Sequence, residues 1–201
     1  MKHLSPEQQR HVLDGAALLF TKERLHDITL EKLAKTSGTG AFDILRHYHS
    51  SENILKSVLE RELELMASAT QPPELRMPGE TLSDELQVLA GVILDQYRNR
   101  LPFLSKLLEE SLHDPKVGAL FYKTFIVQGR LMFTEFLRVR AQFGELREGV
   151  DVEAAAATFL ASLTGILLMN EVFGGKQVEA LDDERLLRHL CGVFLQGISK
   201  N

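Results

Sequence analysis

"LEKLAKTSGTGAFDILRHYHS", residues 30–50, holds two short helical patterns separated by a glycine-bearing break. Leu30, Leu33 and Ala34 recur at three- and four-residue spacing, and Thr29, just ahead of them, is a residue type whose hydroxyl caps the first free amides of a helix. Gly38 and Gly40 bracket Thr39 and interrupt the pattern, which Ile44, Leu45 and Tyr48 resume from Phe42 onward. Two short helices around such a break are how a helix-turn-helix is built. Its first helix braces against a DNA backbone, and the N-terminal end of its second enters the major groove. The second helix here leads with Ala41, Phe42 and Asp43, where a groove reader ordinarily presents polar or basic side chains.

On the N-terminal side, Ser5 followed by Pro6 and Gln8 is a helix start, and Val12, Ala16, Leu19 and Phe20 make the buried stripe of a first helix ending near Glu23. On the other side, Ser50 with Asn53 opens a longer fourth helix through Ile54, Leu55, Val58, Leu63 and Leu65. That pattern fades at Gln71-Pro72-Pro73, and the stretch up to Pro78-Gly79 is the expected domain boundary. Beyond it helical patterns run over 81–99, 102–112, 115–142, 151–173 and 182–198, parted by Pro102, Asp114-Pro115, Gly149 and Gly174-Gly175. No alternating strand pattern bounded by hairpin signals occurs, and no internal repeat. The expectation is an all-α chain with a three-helix helix-turn-helix domain over 1–50, a connecting fourth helix over 51–72 and a helical body over 80–201.

Composition is that of a soluble globular protein, with 44% hydrophobic and 25% charged residues. The single Cys191 forms no intramolecular disulfide, and MKHLSPEQQRH lacks the apolar core of an export signal, so a cytoplasmic location is expected. A net charge of -5 argues against binding nucleic acid by bulk charge. The deficit lies after residue 60, because residues 1–60 carry eight Lys/Arg against eight Asp/Glu. The head is the less acidic end without being a basic patch.

From Ala154 to Asn170 no charged residue appears, a 17-residue run somewhat short of the ~20 needed to span a bilayer. A helix apolar all round must be covered on every side, and Ala157, Ala161 and Gly165 recur every four residues, which permits close helix approach. Its own domain can cover one face and a second subunit the other, with Leu187, Cys191 and Phe194 among the companion stripe. A buried core helix in a monomer is the competing reading.

The words "VLDGAALLF", "ITLEKLAKTSG" and "ILRHYHSSENIL" resemble the N-terminal domain of the tetracycline-repressor (TetR) family, closely over residues 8–60. "DVEAAAATFLASLTGILLMNEVFGG" and "LDDERLLRHLCGVFLQGI" resemble, in layout, the last two helices of that family, which form a four-helix bundle with a second subunit. The resemblance implies a dimeric regulator with a small-molecule site in its body and two heads on a palindromic double-stranded DNA operator. Departures stand beside it. Arg24 replaces the usual Gly after the first helix, so either it takes a left-handed conformation or the turn differs. Leu45 replaces a customary phosphate-binding Tyr, and Ser51 a customary Lys. Thr29, Glu31, Gly40, Ala41, Phe42, Asp43, Arg46, His47 and Ser51 are the candidate DNA-binding residues. Ala41 and Phe42 suit thymine methyls, Asp43 suits cytosine N4, and helix amide ends suit phosphates. Asp43 and Glu31 also face a polyanion.

Six of the eleven Phe lie between residues 103 and 143. At helical spacing such a cluster is ordinarily core. The family's ligand cavity lies among these helices, so the resemblance implies a site drawn from Gln96, Tyr97, Phe103, Glu109, His113, Phe121, Tyr122, Phe125, Gln128, Met132 and Asn170. An apolar or amphipathic effector is expected there.

Other chemistry has less to stand on. Glu110 and His113 form one E-x-x-H pair, whereas a di-iron bundle needs two such pairs and two further Glu. His47 and His49 sit two apart, where both rings rarely meet one metal, and Cys191 lies on an apolar stripe as an inert core thiol does. No nucleophile elbow, phosphate loop or zincin motif occurs, so no cofactor or metal and no enzymatic activity is expected. A ligand-responsive repressor leads; a helical interaction protein with degenerate DNA contacts is the alternative.

Overall fold

The computed structural model describes residues 4–69, 81–180 and 182–200. Among them the chain is all-α, and extended pairing is confined to a single antiparallel bridge between Leu146 and Ser199. The helices are α1 (Pro6–Phe20), α2 (Leu30–Ser37), α3 (Ala41–Tyr48), α4 (Ser51–Ala69), α5 (Leu82–Asn99), α6 (Leu101–His113), α7 (Pro115–Phe121), α8 (Val127–Gln142), α9 (Val152–Leu167), α10 (Gly175–Val178) and α11 (Asp183–Ile198). The stretch 115–142, continuous in its apolar pattern, is two helices joined by a π-turn, Tyr122–Ile126, and α9 ends in another, Leu168–Val172. The short α10 occupies the ground of the expected break at Gly174-Gly175.

Caps account for the helix starts. Ser5 and Gln8 form the reciprocal capping box expected of them. The Thr29 hydroxyl accepts from the Lys32 amide at 3.3 Å, and Asp151 and Asp182 cap α9 and α11 in the same manner. At Arg24 the turn differs and no left-handed residue is needed: it is extended, at φ -70 and ψ 150, and leads into a 3-10 turn, Leu25–Asp27.

Packing divides the chain into two compact units, Met1–Glu64 with Arg100–Ile126, and Leu65–Asn99 with Val127–Asn201. In this division α6 and α7 pack with the head, while the boundary expected over residues 71–79 lies outside the described residues. In that first unit Val12, Phe20, Leu33, Ile44, Leu59, Phe103 and Leu107 share one core. The Phe20 and Phe103 rings lie 5.4 Å apart. The second unit is built around Leu86, Phe133, Phe159, Leu163 and Cys191, with the rings of Phe133 and Phe159 stacked at 5.0 Å.

By length and composition alone Val152–Val172 could cross a bilayer. Its inward residues, Ala156, Phe159 and Leu163, are core of the second unit, while Ala154, Ala157 and Ala161 are exposed. The helix is therefore two-faced, as a helix covered from different sides must be.

Candidate nucleic-acid interface

The turn of the helix-turn-helix is held by small groups. Gly38 closes α2 in the left-handed region at φ 66, where a side chain is disfavoured. The buried Ser37 hydroxyl donates to the Leu33 carbonyl at 2.8 Å and accepts from the Thr39 amide at 3.3 Å. A Cβ on Gly15 of α1 would stand 3.5 Å from Ser37, so these two helices meet closely at this point. α3 is anchored by Ile44 and Tyr48, which are buried, and the Asn53 side chain donates to the Tyr48 carbonyl at 2.8 Å to fix the corner into α4.

Anchored in this way, α3 displays its leading edge. Phe42 is 73% exposed, Asp43 and Gly40 are exposed, and Ala41, Arg46 and His47 are half-buried. Gly40 offers no side-chain cap, so the first amides of α3 have no side-chain acceptor there. The Arg46 guanidinium lies 5.8 Å from the Phe42 ring centroid and 3.3 Å from an Asp43 carboxylate oxygen. The His47 ring meets Tyr48 edge-on at 4.7 Å. Thr29, Glu31 and Ser51 are exposed at the first turns of α2 and α4. Lys32, the basic residue beside them, is tied to Glu23 at 2.6 Å and to the Asp27 carbonyl at 3.0 Å.

Leu45, which by the resemblance stands at a phosphate-contacting position, is 44% exposed beside the buried Ile44 and Tyr48. Positions 44 and 48 stack on one face of a helix, and the neighbour of 44 is turned about 100° away from it. Behind Leu45 a cavity of about 240 Å³ opens within the head, walled by Phe20, Leu33, Ile54, Leu55 and Val58, with Thr29 and Ser51 also on its lining. Its walls come from five separate elements, so no local sequence pattern announces it. The polar-to-apolar change at position 45, beside Thr29 and Ser51, is the one signal that could have.

The body candidates are divided between the units. Phe103, Glu109, His113, Phe121, Tyr122 and Phe125 fall in the first, and Gln96, Tyr97, Gln128, Met132 and Asn170 in the second. None of the eleven lines the cavity of the head. Phe103 serves the head core, Phe121 stacks on Phe125 at 5.4 Å, and Glu109, His113, Tyr122, Gln128 and Met132 are exposed. Burial pushes the Tyr97 hydroxyl up from its ordinary titration range. Asn170 is buried and donates to Asp183 at 2.8 Å, inside a network in which Arg98 and Lys176 each bridge Glu171 and Asp183. Its amide therefore pins the segment after α9.

Of the residues assigned to dimerisation, Ala157 and Ala161 are exposed and Gly165 half-buried. Cys191 corrects the expectation. It is wholly buried within its own unit, and that burial lifts its thiol to about 11, so it cannot touch a second subunit. Phe194 spends its ring on Phe159 at 4.7 Å, and Leu187 packs partly buried against the same core. Among the described residues no group of three or more His, Cys, Asp or Glu could hold a metal ion.

A family model described as the C-terminal domain of AefR-like transcriptional repressors matches residues 103–196. The uncharacterised HTH-type transcriptional regulator YvkB of Bacillus subtilis (strain 168) is 19% identical over 94% of this chain and 96% of its own. Two solved structures share the fold. The flavonoid-responsive regulator FrrA matches with a TM-score of 0.78 at 22% identity, covering 98% of this chain and 100% of that one. The fatty acid degradation regulator FadR from Bacillus halodurans matches with a TM-score of 0.69 at 16% identity, covering 98% of each. The matched C-terminal model, the helix-turn-helix relative and the geometry of the head agree in supporting a transcriptional regulator of the TetR family.

Proposed function

We propose that this protein is a ligand-responsive repressor that acts as a homodimer on a palindromic DNA operator. The observation that carries this reading is the outward leading edge of α3, with Phe42 exposed above an anchor of Ile44 and Tyr48. On it, Ala41 and Phe42 contact thymine methyls, Asp43 accepts from cytosine, and Arg46 and His47 lie along the groove. Gly40, Thr29, Glu31 and Ser51 sit where the amide ends of α2, α3 and α4 meet phosphates. Functionally, residues 1–50 read DNA, 51–72 connect, and 80–201 bind effector and partner.

The exposed Ala157 and Ala161, with the half-buried Gly165, support pairing of two copies through α9 and α11. The effector is an apolar or amphipathic molecule taken up by the aromatic body, in keeping with the flavonoid and fatty-acid terms in the names of two structural neighbours. Occupation shifts the balance between two head spacings, which requires unequal affinity for them. The protein works by binding and in the cytoplasm.

Footprinting of the promoter beside its own gene, at low salt, tests the reading. A protected palindrome is expected, together with a dimer mass that Ala161→Glu reduces to that of a monomer. The ion pair between Asp43 and Arg46 favours a second reading, a helical interaction protein, and absence of any protected site would select it.

A further inference from the structure

Close-packed interiors leave few voids larger than a water molecule, and the head departs from this. Its cavity of about 240 Å³ exceeds the ~150 Å³ that suffices for benzene in a dry engineered core. At the ~25 Å³ per non-hydrogen atom of benzene's six in ~150 Å³, the space takes about nine or ten such atoms. Its walls are aliphatic and aromatic, and no charged side chain lines it. An ion entering would give up hydration with nothing to replace it, so the fitting occupant is neutral. Thr29 and Ser51 supply hydroxyls on the lining, and both are exposed, so one hydroxyl on the occupant finds partners at the mouth.

The mouth coincides with the proposed phosphate contacts. Thr29 caps α2 and Ser51 is the first residue of α4, so an occupant held by these hydroxyls lies against both amide ends. Leu45 at the rim is apolar and half in solvent, an exposure that an apolar occupant would relieve.

We propose that the head cavity is a second ligand site for a neutral apolar molecule with one hydroxyl, whose occupation competes directly with DNA. The competition rests on the DNA-binding reading above; occupation of the cavity does not.

The test titrates full-length protein, labelled at Ile, Leu and Val methyls, with 1-octanol. Saturable shifts confined to methyls of the lining, such as those of Ile28, Leu33, Leu45, Ile54, Leu55 and Val58, are expected, and octanoate should give none. Ala16→Met fills the cavity and should abolish the shifts, and the milder Val58→Ile should weaken binding several-fold if the first variant folds poorly. Octanol at saturation should lower affinity for the promoter fragment at least threefold in the native protein and leave Ala16→Met unchanged. Absence of saturable shifts, or shifts that persist in both filled variants, overturns the site. Octanol bound with DNA affinity unaltered overturns the competition. A protein that binds no DNA with or without octanol defeats the repressor reading instead, while the methyl titration still decides the cavity.

Discussion

On the displayed face of α3 an Arg46 guanidinium nitrogen stands 3.3 Å from a carboxylate oxygen of Asp43, so the arginine of the reading face carries its own counter-charge. Approach to a polyanion must weaken that pair or leave the carboxylate near phosphate. Asp43→Asn removes the opposing charge, and the plot of log affinity against log salt should steepen by about 0.9 for each further phosphate that is neutralised. Ser51→Lys should steepen it similarly, and Arg46→Ala should flatten it. Fluorescence anisotropy between about 50 and 200 mM salt reads all three. Identical slopes in all variants would remove α3 from the interface.

The extended turn after α1 puts the Arg24 Nε 3.5 Å from Glu110 Oε1, and the Glu110 side chain is only 5% exposed. Arg24→Ala strands a buried carboxylate. The expected loss is about 1–2 kcal/mol, below the ~3–5 of a fully buried pair because Arg24 is half in solvent. Arg24→Ala with Glu110→Leu should recover most of it in urea unfolding. A single variant as stable as the native chain would show that the pair contributes nothing.

Acid should loosen the segment after α9. A hydrogen bond from Lys176 holds Glu171 below the ordinary 4.5. Burial pushes Asp183 up, but hydrogen bonds from Lys176 and Asn170 and the Arg98 charge outweigh it and hold the group below 3.8. Lowered native values mean that the unfolded chain takes up protons first. The stabilisation is therefore present at neutral pH and disappears as pH falls below about 4.5 and through the native values. Thermal melts of Glu171→Gln and Asp183→Asn should show a flatter acid limb than the native protein, and equal limbs would refute the linkage.

Cys191 should ignore a thiol reagent at pH ~8 while the protein is folded, since burial places its ionisation at about 11. One thiol should react once denaturant is added. Reaction in the folded protein, at a rate independent of denaturant, would place Cys191 at the surface.

Much of the architecture was written in local patterns. Ser5, Thr29, Asp151 and Asp182 are capping residues whose function is satisfied within three positions of themselves, and the apolar spacing of residues 81–198 needs only a helix to place one face inward. The site was less legible. Leu45 and Cys191 both sit on apolar stripes, yet one faces solvent and the other the core, because a stripe of residues turned about 100° apart does not say which edge its neighbours cover. Phe103, a body residue by its place in the chain, packs on Phe20 because α6 joins the head across a long stretch of sequence.

Sequence by itself determined the helical class, the helix-turn-helix and the capped helix starts at Ser5 and Thr29, since these depend on hydrogen bonds and spacing between near neighbours. Tertiary structure alone decided the pairing of Arg24 with Glu110, the Arg98 and Lys176 network, and the cavity behind Leu45. Each is made by side chains from elements distant along the chain, and their meeting depends on how whole helices pack.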